Sequence, residues 1–82
     1  MYDFLLSQSV KVKEGTRVID SARVVAVDGH VLTLLSERLH PGNQVQMAYM
    51  PELDAWKVLF EGLHGENCIN PRGSIYSIQP NR

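Results

Sequence analysis

The sequence has little of what several classes of protein require. It contains one cysteine, Cys68, so no disulfide can form within the chain, and we expect a reducing, cytoplasmic location. No apolar run approaches the ~20 residues needed to cross a bilayer, and residues 1–8 lack the basic leader of a signal peptide. We therefore expect a soluble protein with no membrane partner.

An excess of charge of either sign is also absent. Eight Lys and Arg stand against nine Asp and Glu, for a net charge of -1. Nucleic-acid binding draws on clustered cations, so this balance makes nucleic acid an unlikely partner. The basic residues are densest at Lys11, Lys13, Arg17 and Arg23. That set is either the solvated side of a sheet or a local phosphate-binding patch.

Catalytic and metal-binding patterns are missing as well. His30, His40 and His64 show none of the short spacings that place two ligands on one face of a helix or strand. Cys68 has no cysteine partner, which favours a buried or loop thiol over a nucleophile. We predict a protein that is not an enzyme and that holds neither a metal nor a cofactor.

What the sequence does contain is a strong hairpin signal at residues 23–35. Two β-prone apolar runs flank Asp28-Gly29, a dipeptide that tolerates the positive φ angles of a two-residue turn. That turn would pair Val27 with His30 and Val25 with Leu32, leaving both faces of the hairpin mostly apolar. Such a hairpin needs a strongly curved barrel, a covering segment or a partner chain.

Further strands are predicted by period-2 alternation and by turn residues. Residues 2–6 fit either an edge strand or a short helical turn, and Ser36 could cap a helical turn through Leu39. The predicted strands cover residues 10–13, 17–20, 44–49, 56–61 and 74–78, the last closed off by Pro80. Residues 63–73 read as a loop.

These elements predict one domain over residues 1–82 with a single core. The fold class is all-β: a small antiparallel barrel of five to seven strands, SH3-like or PilZ-like, with at most one short helical turn. The sequence fits a closed or a partly open barrel, and closure would remove the edges that such short strands leave exposed.

Candidate binding residues lie in the loop and among the aromatics. The segment from Asn67 to Gly73 is either a binding loop or a plain connector, and Arg72 is the side chain there best suited to hold a carboxylate or phosphate. Trp56 and Phe60 are favoured as core residues, because they alternate with Val58. The candidate binding set is Arg72, Tyr76, Asn67, Asn70, Arg17 and Arg23.

Residues 10–63 resemble a PilZ-type barrel, or the similar barrel that precedes PilZ domains in flagellar-brake proteins. The likeness rests on Arg17 and Arg23, the central hairpin, the turn at residues 39–45 and the return strand from Trp56 to Phe60. PilZ domains that bind cyclic di-GMP carry two arginines separated by three residues, then an Asp or Asn, Ser and Gly motif. Here five residues separate the arginines and residues 25–29 supply no Ser at the required place, so the resemblance implies the barrel without that ligand.

The function we predict is that of a non-catalytic adaptor or regulatory binding domain. It would contact another protein and associate with itself, because the doubly apolar hairpin exposes more apolar surface than 82 residues easily hide. The alternative is a nucleotide or nucleic-acid binding barrel that uses Lys11, Lys13, Arg17 and Arg23, with Tyr76 or Trp56 as a stacking surface.

Overall fold

The computed structural model describes residues 2–81, which form seven antiparallel strands and one short 3-10 helix. This confirms the all-β class and the predicted single helical turn, which lies at Asp3–Leu5. The strands are β1 (Ser9–Glu14), β2 (Arg17–Asp28), β3 (Val31–Ser36), β4 (Gln44–Met50), β5 (Ala55–Glu61), β6 (Asn67–Ile69) and β7 (Ser77–Pro80). Within residues 2–81, no helix has the length and apolar character to cross a membrane.

The strands form one sheet in the order β6-β5-β4-β3-β2-β1-β7, and over the described residues this sheet is not closed. Of the two predicted forms, closed and partly open, the closed barrel is therefore wrong. β7 pairs with β1. Among the described residues, Tyr76, directly before β7, is joined to β5 by an isolated bridge to Trp56 and by no regular ladder. The chain leaves the ladder between Ile69 and Tyr76, where Pro71 interrupts it. The curled sheet consequently keeps two free edges.

The core lies on the concave face of this sheet. Alternate residues of the central strands point inward and are almost fully buried, as period-2 patterning requires. The largest of these buried side chains are Leu32, Leu34, Met47, Val10, Val12 and Val24. Leu5 of the 3-10 helix adds to the cluster. The apolar inner side of the central hairpin is thus buried in the core of the same chain.

The central hairpin forms, but its predicted register is wrong. Its turn consists of Gly29 and His30, because Asp28 pairs with Val31 as the last residue of β2. Gly29 takes a φ of 59°, and Asp28 stays in the strand. A turn of this type needs a positive φ only at its first central residue, and Gly29 supplies it. Asp28 can therefore pair with Val31 as part of the strand.

An irregularity near Val25 shifts the β2–β3 register a second time. Val24 pairs with Leu34 and Ala26 with Thr33, so Val25 is an extra residue on β2. A bulge of this kind bends a strand and strengthens its twist. Val24 and Leu32 therefore both point inward, whereas the predicted pairing set them on opposite faces.

The helical turn predicted from Ser36 to Leu39 is absent. Ser36 ends β3, and its hydroxyl accepts a hydrogen bond from the His40 N–H at 3.0 Å. The same hydroxyl donates to Asp20 at 2.5 Å. Because Ser36 is held by β2, residues 37–40 bend without helical hydrogen bonds.

The C-terminal third differs from the prediction in two places. The predicted loop contains the short strand β6, and the last strand begins at Ser77 and not at Ser74. β7 ends at Pro80, as expected, and Pro80 itself pairs with Val10 as its last residue. A proline is tolerated there because β7 is an edge strand whose outer N–H positions need no partner.

Candidate functional site

The outer, convex face of the sheet gathers most of the predicted basic residues. Lys11 and Lys13 alternate with the buried Val10 and Val12, so both lie on the outer side of β1. Arg23 lies on the same side of β2, opposite Ser9. Its guanidinium donates to the Ser7 carbonyl at 3.1 Å, which holds it over the start of β1.

Arg17 lies apart from that group. It starts β2 opposite Glu14, so a cation and a carboxylate face each other across the first hairpin. The structure thus places three of the four predicted basic residues on one surface. We call the outer side of β1 and β2 that carries Lys11, Lys13 and Arg23 the basic strip.

Next to the basic strip, the outer side of the central hairpin is apolar and open. Val25 and Leu35 are each 39% exposed, and Val31 and Thr33 are half-buried. The β3–β4 register then places Gln44 and Gln46 beside Leu35 and Thr33, so the neighbouring strand is polar but uncharged. We call the surface of Val25, Val31 and Leu35 the outer apolar face.

The predicted binding loop turns back onto the outer side of β5. The Arg72 N–H donates to the Asn70 side-chain oxygen at 3.0 Å, and the Gly73 N–H donates to the Asn70 carbonyl at 2.9 Å. Proline at the second position suits such a turn. Arg72 is exposed at the tip of this turn. Asn67 is not part of the turn, because it lies at the start of β6, before Ile69.

Lys57 explains why this loop is ordered. The sequence places Lys57 on the polar side of its strand, yet it is only 6% exposed. Its Nζ donates to the main-chain carbonyls of Pro71 at 2.8 Å, Asn70 at 3.2 Å and Gly73 at 3.3 Å. The ammonium group has three donors, so the loop satisfies it completely. Ala48, which pairs with Lys57, is buried under the same loop.

A group of aromatic rings covers one end of the core. Trp56 is 5% exposed, and its ring centroid lies 5.1 Å from that of Tyr2 and 5.4 Å from that of Tyr49. His30 stacks on Tyr49 at 6.1 Å. These spacings are those of packed aromatic pairs. Trp56 is therefore a core residue, as favoured, and it offers no free face for stacking.

The predictions for the other two aromatic residues, Phe60 and Tyr76, have different outcomes. Phe60 is 50% exposed, so the preference for a core position is wrong. Its strand extends past the last pair between β4 and β5, where nothing from β4 covers it. Tyr76 is half-buried, and its main chain exchanges two hydrogen bonds with Trp56, at 2.8 and 2.9 Å. The observed role of Tyr76 is to join its segment to β5.

Tyr49 carries the largest pKa change that the structure produces. Its hydroxyl donates to the Asp54 carboxylate at 2.6 Å. That hydrogen bond, with burial and the nearby negative charge, raises the pKa of Tyr49 to about 12. The pair fixes the β4–β5 turn, in which Asp54 has a positive φ of 47°.

Asp20 is a buried acid that sequence reasoning missed. It is 3% exposed, and its carboxylate accepts main-chain N–H bonds from Arg38 at 2.8 Å, Ser21 at 2.8 Å and Glu37 at 3.2 Å. Burial alone would raise its pKa. The Ser36 hydroxyl and these three N–H groups outweigh burial and hold the pKa of Asp20 below its ordinary 3.8. The sequence signal for its burial is its position at period 2 with the buried Ala22 and Val24.

The remaining reactive side chains stay separate. Among residues 2–81, no group of three or more His, Cys, Asp or Glu is placed to hold a metal ion. Cys68 is half-buried on β6, near the Glu66 carbonyl at 3.8 Å.

No protein-family model, characterised protein or solved structure matches this chain in the three comparisons made.

Proposed function

We propose that this chain is a non-catalytic adaptor or regulatory domain that acts through protein–protein contacts and associates with itself. The observation that supports the proposal is the outer apolar face. Val25 and Leu35 are exposed on the outer side of the β2–β3 hairpin, where Val31 and Thr33 are half-buried and Val25 is the bulged residue. Exposed apolar side chains grouped on one face and rimmed by polar residues are typical of interaction surfaces.

The size of the molecule allows this surface to serve as an interface. The protein measures 37 × 27 × 24 Å, and its accessible surface is 5429 Å². A standard interface needs about 800 Å² from each partner. One face of the sheet can supply that area if the outer apolar face forms the centre and the uncharged Gln44 and Gln46 the rim. A second copy is the partner that we propose for this face, because a two-fold axis pairs each surface with itself.

Sedimentation equilibrium of the whole chain tests the proposal. We expect concentration-dependent association, and the substitution Leu35→Lys weakens it at least tenfold, because a charge then enters the centre of the interface. The matched control is Leu63→Lys, since Leu63 is 99% exposed on the β5–β6 turn. Circular dichroism checks that both variants keep the sheet.

Two results would contradict self-association. One is a wild-type chain that stays monomeric at every concentration reached. The other is a Leu35→Lys variant that associates as strongly as the wild-type chain.

A second candidate function is phosphate-directed binding through the basic strip. The register that brings Lys11, Lys13 and Arg23 to one surface favours it. A single-stranded oligonucleotide or a cyclic dinucleotide would bind at low salt and be released steeply as salt rises. Lys11→Gln should reduce retention, and Arg38→Gln, on an exposed connector, should not. Absence of retention by the wild-type chain at low salt would exclude this function.

The SH3-like or PilZ-like identity and the cytoplasmic location remain part of this proposal. The strand count and the antiparallel order are consistent with a small relative of such folds whose sheet stays open. The single cysteine is what supports the cytoplasmic location.

A further inference from the structure

The ladder between β4 and β5 stops halfway, and the two strands separate. Four consecutive pairs join them, from Met50↔Ala55 to Met47↔Val58. Beyond that point β4 continues to Gln44, paired only with β3, and β5 continues to Glu61, paired only with β6. Among the described residues, no strand pair bridges the opening between Gln44 and Glu61.

The main chain on both sides of this opening points into it. Trp56 exchanges both of its main-chain bonds with Tyr76, so the odd-numbered residues of β5 are those that face β4. Tyr49 donates to His30 beside β3, so the even-numbered residues of β4 are those that face β5. The N–H and C=O groups of Gln44 and Glu61 therefore face each other across the opening, without ladder partners.

The opening is a cleft with an apolar inner side and a polar outer side. Its volume is about 480 Å³, and Val45 and the half-exposed Phe60 line its inner part. Gln44, Gln46, Glu61 and the half-buried Leu59 lie on the outer side of the same strands, and Glu61 is the one charged side chain of the four. Clefts of about 300–1,000 Å³ hold ligands of several residues or a drug-sized molecule.

Natural sheet edges are usually protected by lysine, proline or a bulge. The stretch from Gln44 to Gln46 has none of these, although it lies in the middle of the strand order. An extended peptide satisfies such edges with its own main chain and places alternate side chains on the two faces.

We propose that this cleft binds an extended segment of a partner protein by strand addition, with main-chain hydrogen bonds to Gln44 on one side and Glu61 on the other. The segment alternates apolar and basic residues. Its apolar side chains contact Val45 and Phe60, and its basic side chains approach Glu61. The cleft shares Gln44 and Gln46 with the rim of the proposed self-association interface, whereas residues 59–61 belong to the cleft alone. Amide shifts at residues 59–61 therefore distinguish peptide binding from self-association.

Nuclear magnetic resonance titration with a capped heptapeptide of alternating valine and lysine tests the site. Amide shifts confined to residues 44–46 and 59–61 are expected. N-methylation of alternate peptide nitrogens should weaken binding at least tenfold, because the peptide loses the donors that the edges require. Phe60→Ala should also weaken binding about tenfold, by removing the inner apolar contact.

Two further variants make the test specific. Glu61→Gln should weaken binding severalfold and reduce its dependence on salt, while its main-chain groups remain in place. Leu63→Ala, which removes a fully exposed side chain outside the cleft, should leave binding unchanged.

Three results would overturn the site. These are equal binding of the N-methylated peptide, shifts confined to the free edges of β6 and β7, and amide shifts at residues 59–61 on simple dilution without peptide. The last would assign the cleft to a second copy of this chain.

Discussion

Replacement of Asp20 by asparagine should cost this protein a large part of its stability. The carboxylate accepts one hydroxyl and three main-chain N–H bonds in a buried position. An asparagine side chain in its place would keep one acceptor oxygen and turn an amide NH₂ toward Ser36, whose hydroxyl now donates. Hydrogen bonds to a charged group contribute about 1.5–3 kcal/mol, so we expect a loss of about 2–3 kcal/mol. For a domain of this size that lowers Tm by roughly 10–20 °C.

The pH dependence of this loss separates the charge from the shape of the side chain. The folded chain holds the pKa of Asp20 below 3.8, so the unfolded chain takes up the proton first as the pH falls. The stabilisation is therefore complete above the unfolded pKa and declines as the pH drops toward the folded pKa. Asp20→Asn lacks this decline, so its deficit should be larger at about pH 7 than at about pH 3.

Urea unfolding, followed by far-ultraviolet circular dichroism at both pH values, measures this difference. Asp28→Asn is the control, because Asp28 is an exposed carboxylate at the end of the same strand. We expect the control to stay within about 0.5 kcal/mol of the wild-type chain. An Asp20→Asn variant whose free energy of unfolding lies within about 0.5 kcal/mol of the wild-type value would contradict the role of the carboxylate. So would a loss of stability that is the same at both pH values.

Three further predictions concern Lys57, Tyr49 and Gly29. Lys57→Met leaves three loop carbonyls without their donor, so the free energy of unfolding should fall by about 2–4 kcal/mol and amide exchange at Asn70, Arg72 and Gly73 should accelerate; unchanged exchange would contradict this. Alkaline absorbance titration should show Tyr49 ionising with a pKa of about 12, and Asp54→Asn should bring that value down, whereas an unaltered titration would refute the hydrogen bond as cause. In thermal unfolding, Gly29→Ala should lower the free energy of unfolding by about 1–2 kcal/mol and Asp28→Ala should lower it much less. The opposite order would indicate that Asp28 is a central residue of the turn.

Sequence patterning predicted the strands whose two faces differ chemically. β4 and β5 follow from alternation, and Val45 and Met47 are buried as expected. The hairpin at Gly29 was found but misaligned, because Asp-Gly and Gly-His both permit a two-residue turn and only pairing chooses between them.

The parts that could not be predicted depend on contacts distant in sequence. Lys57 alternates with the apolar Trp56 and Val58, and nothing near it in sequence indicates that the loop at residues 70–73 folds over it. Asp20 likewise finds its partners 16 to 18 residues away. Of the candidate site, patterning predicted the basic strip, but the cleft required the observed register of β4 with β5.

The pairing of Val12 with Ile78 joins positions far apart along the chain. Contacts of this kind make folding slow, because a long loop must close before they form. During synthesis, β1 has nothing to bond on its outer edge until the final strand leaves the ribosome. Chains cut short before residue 77 should therefore expose that edge and aggregate.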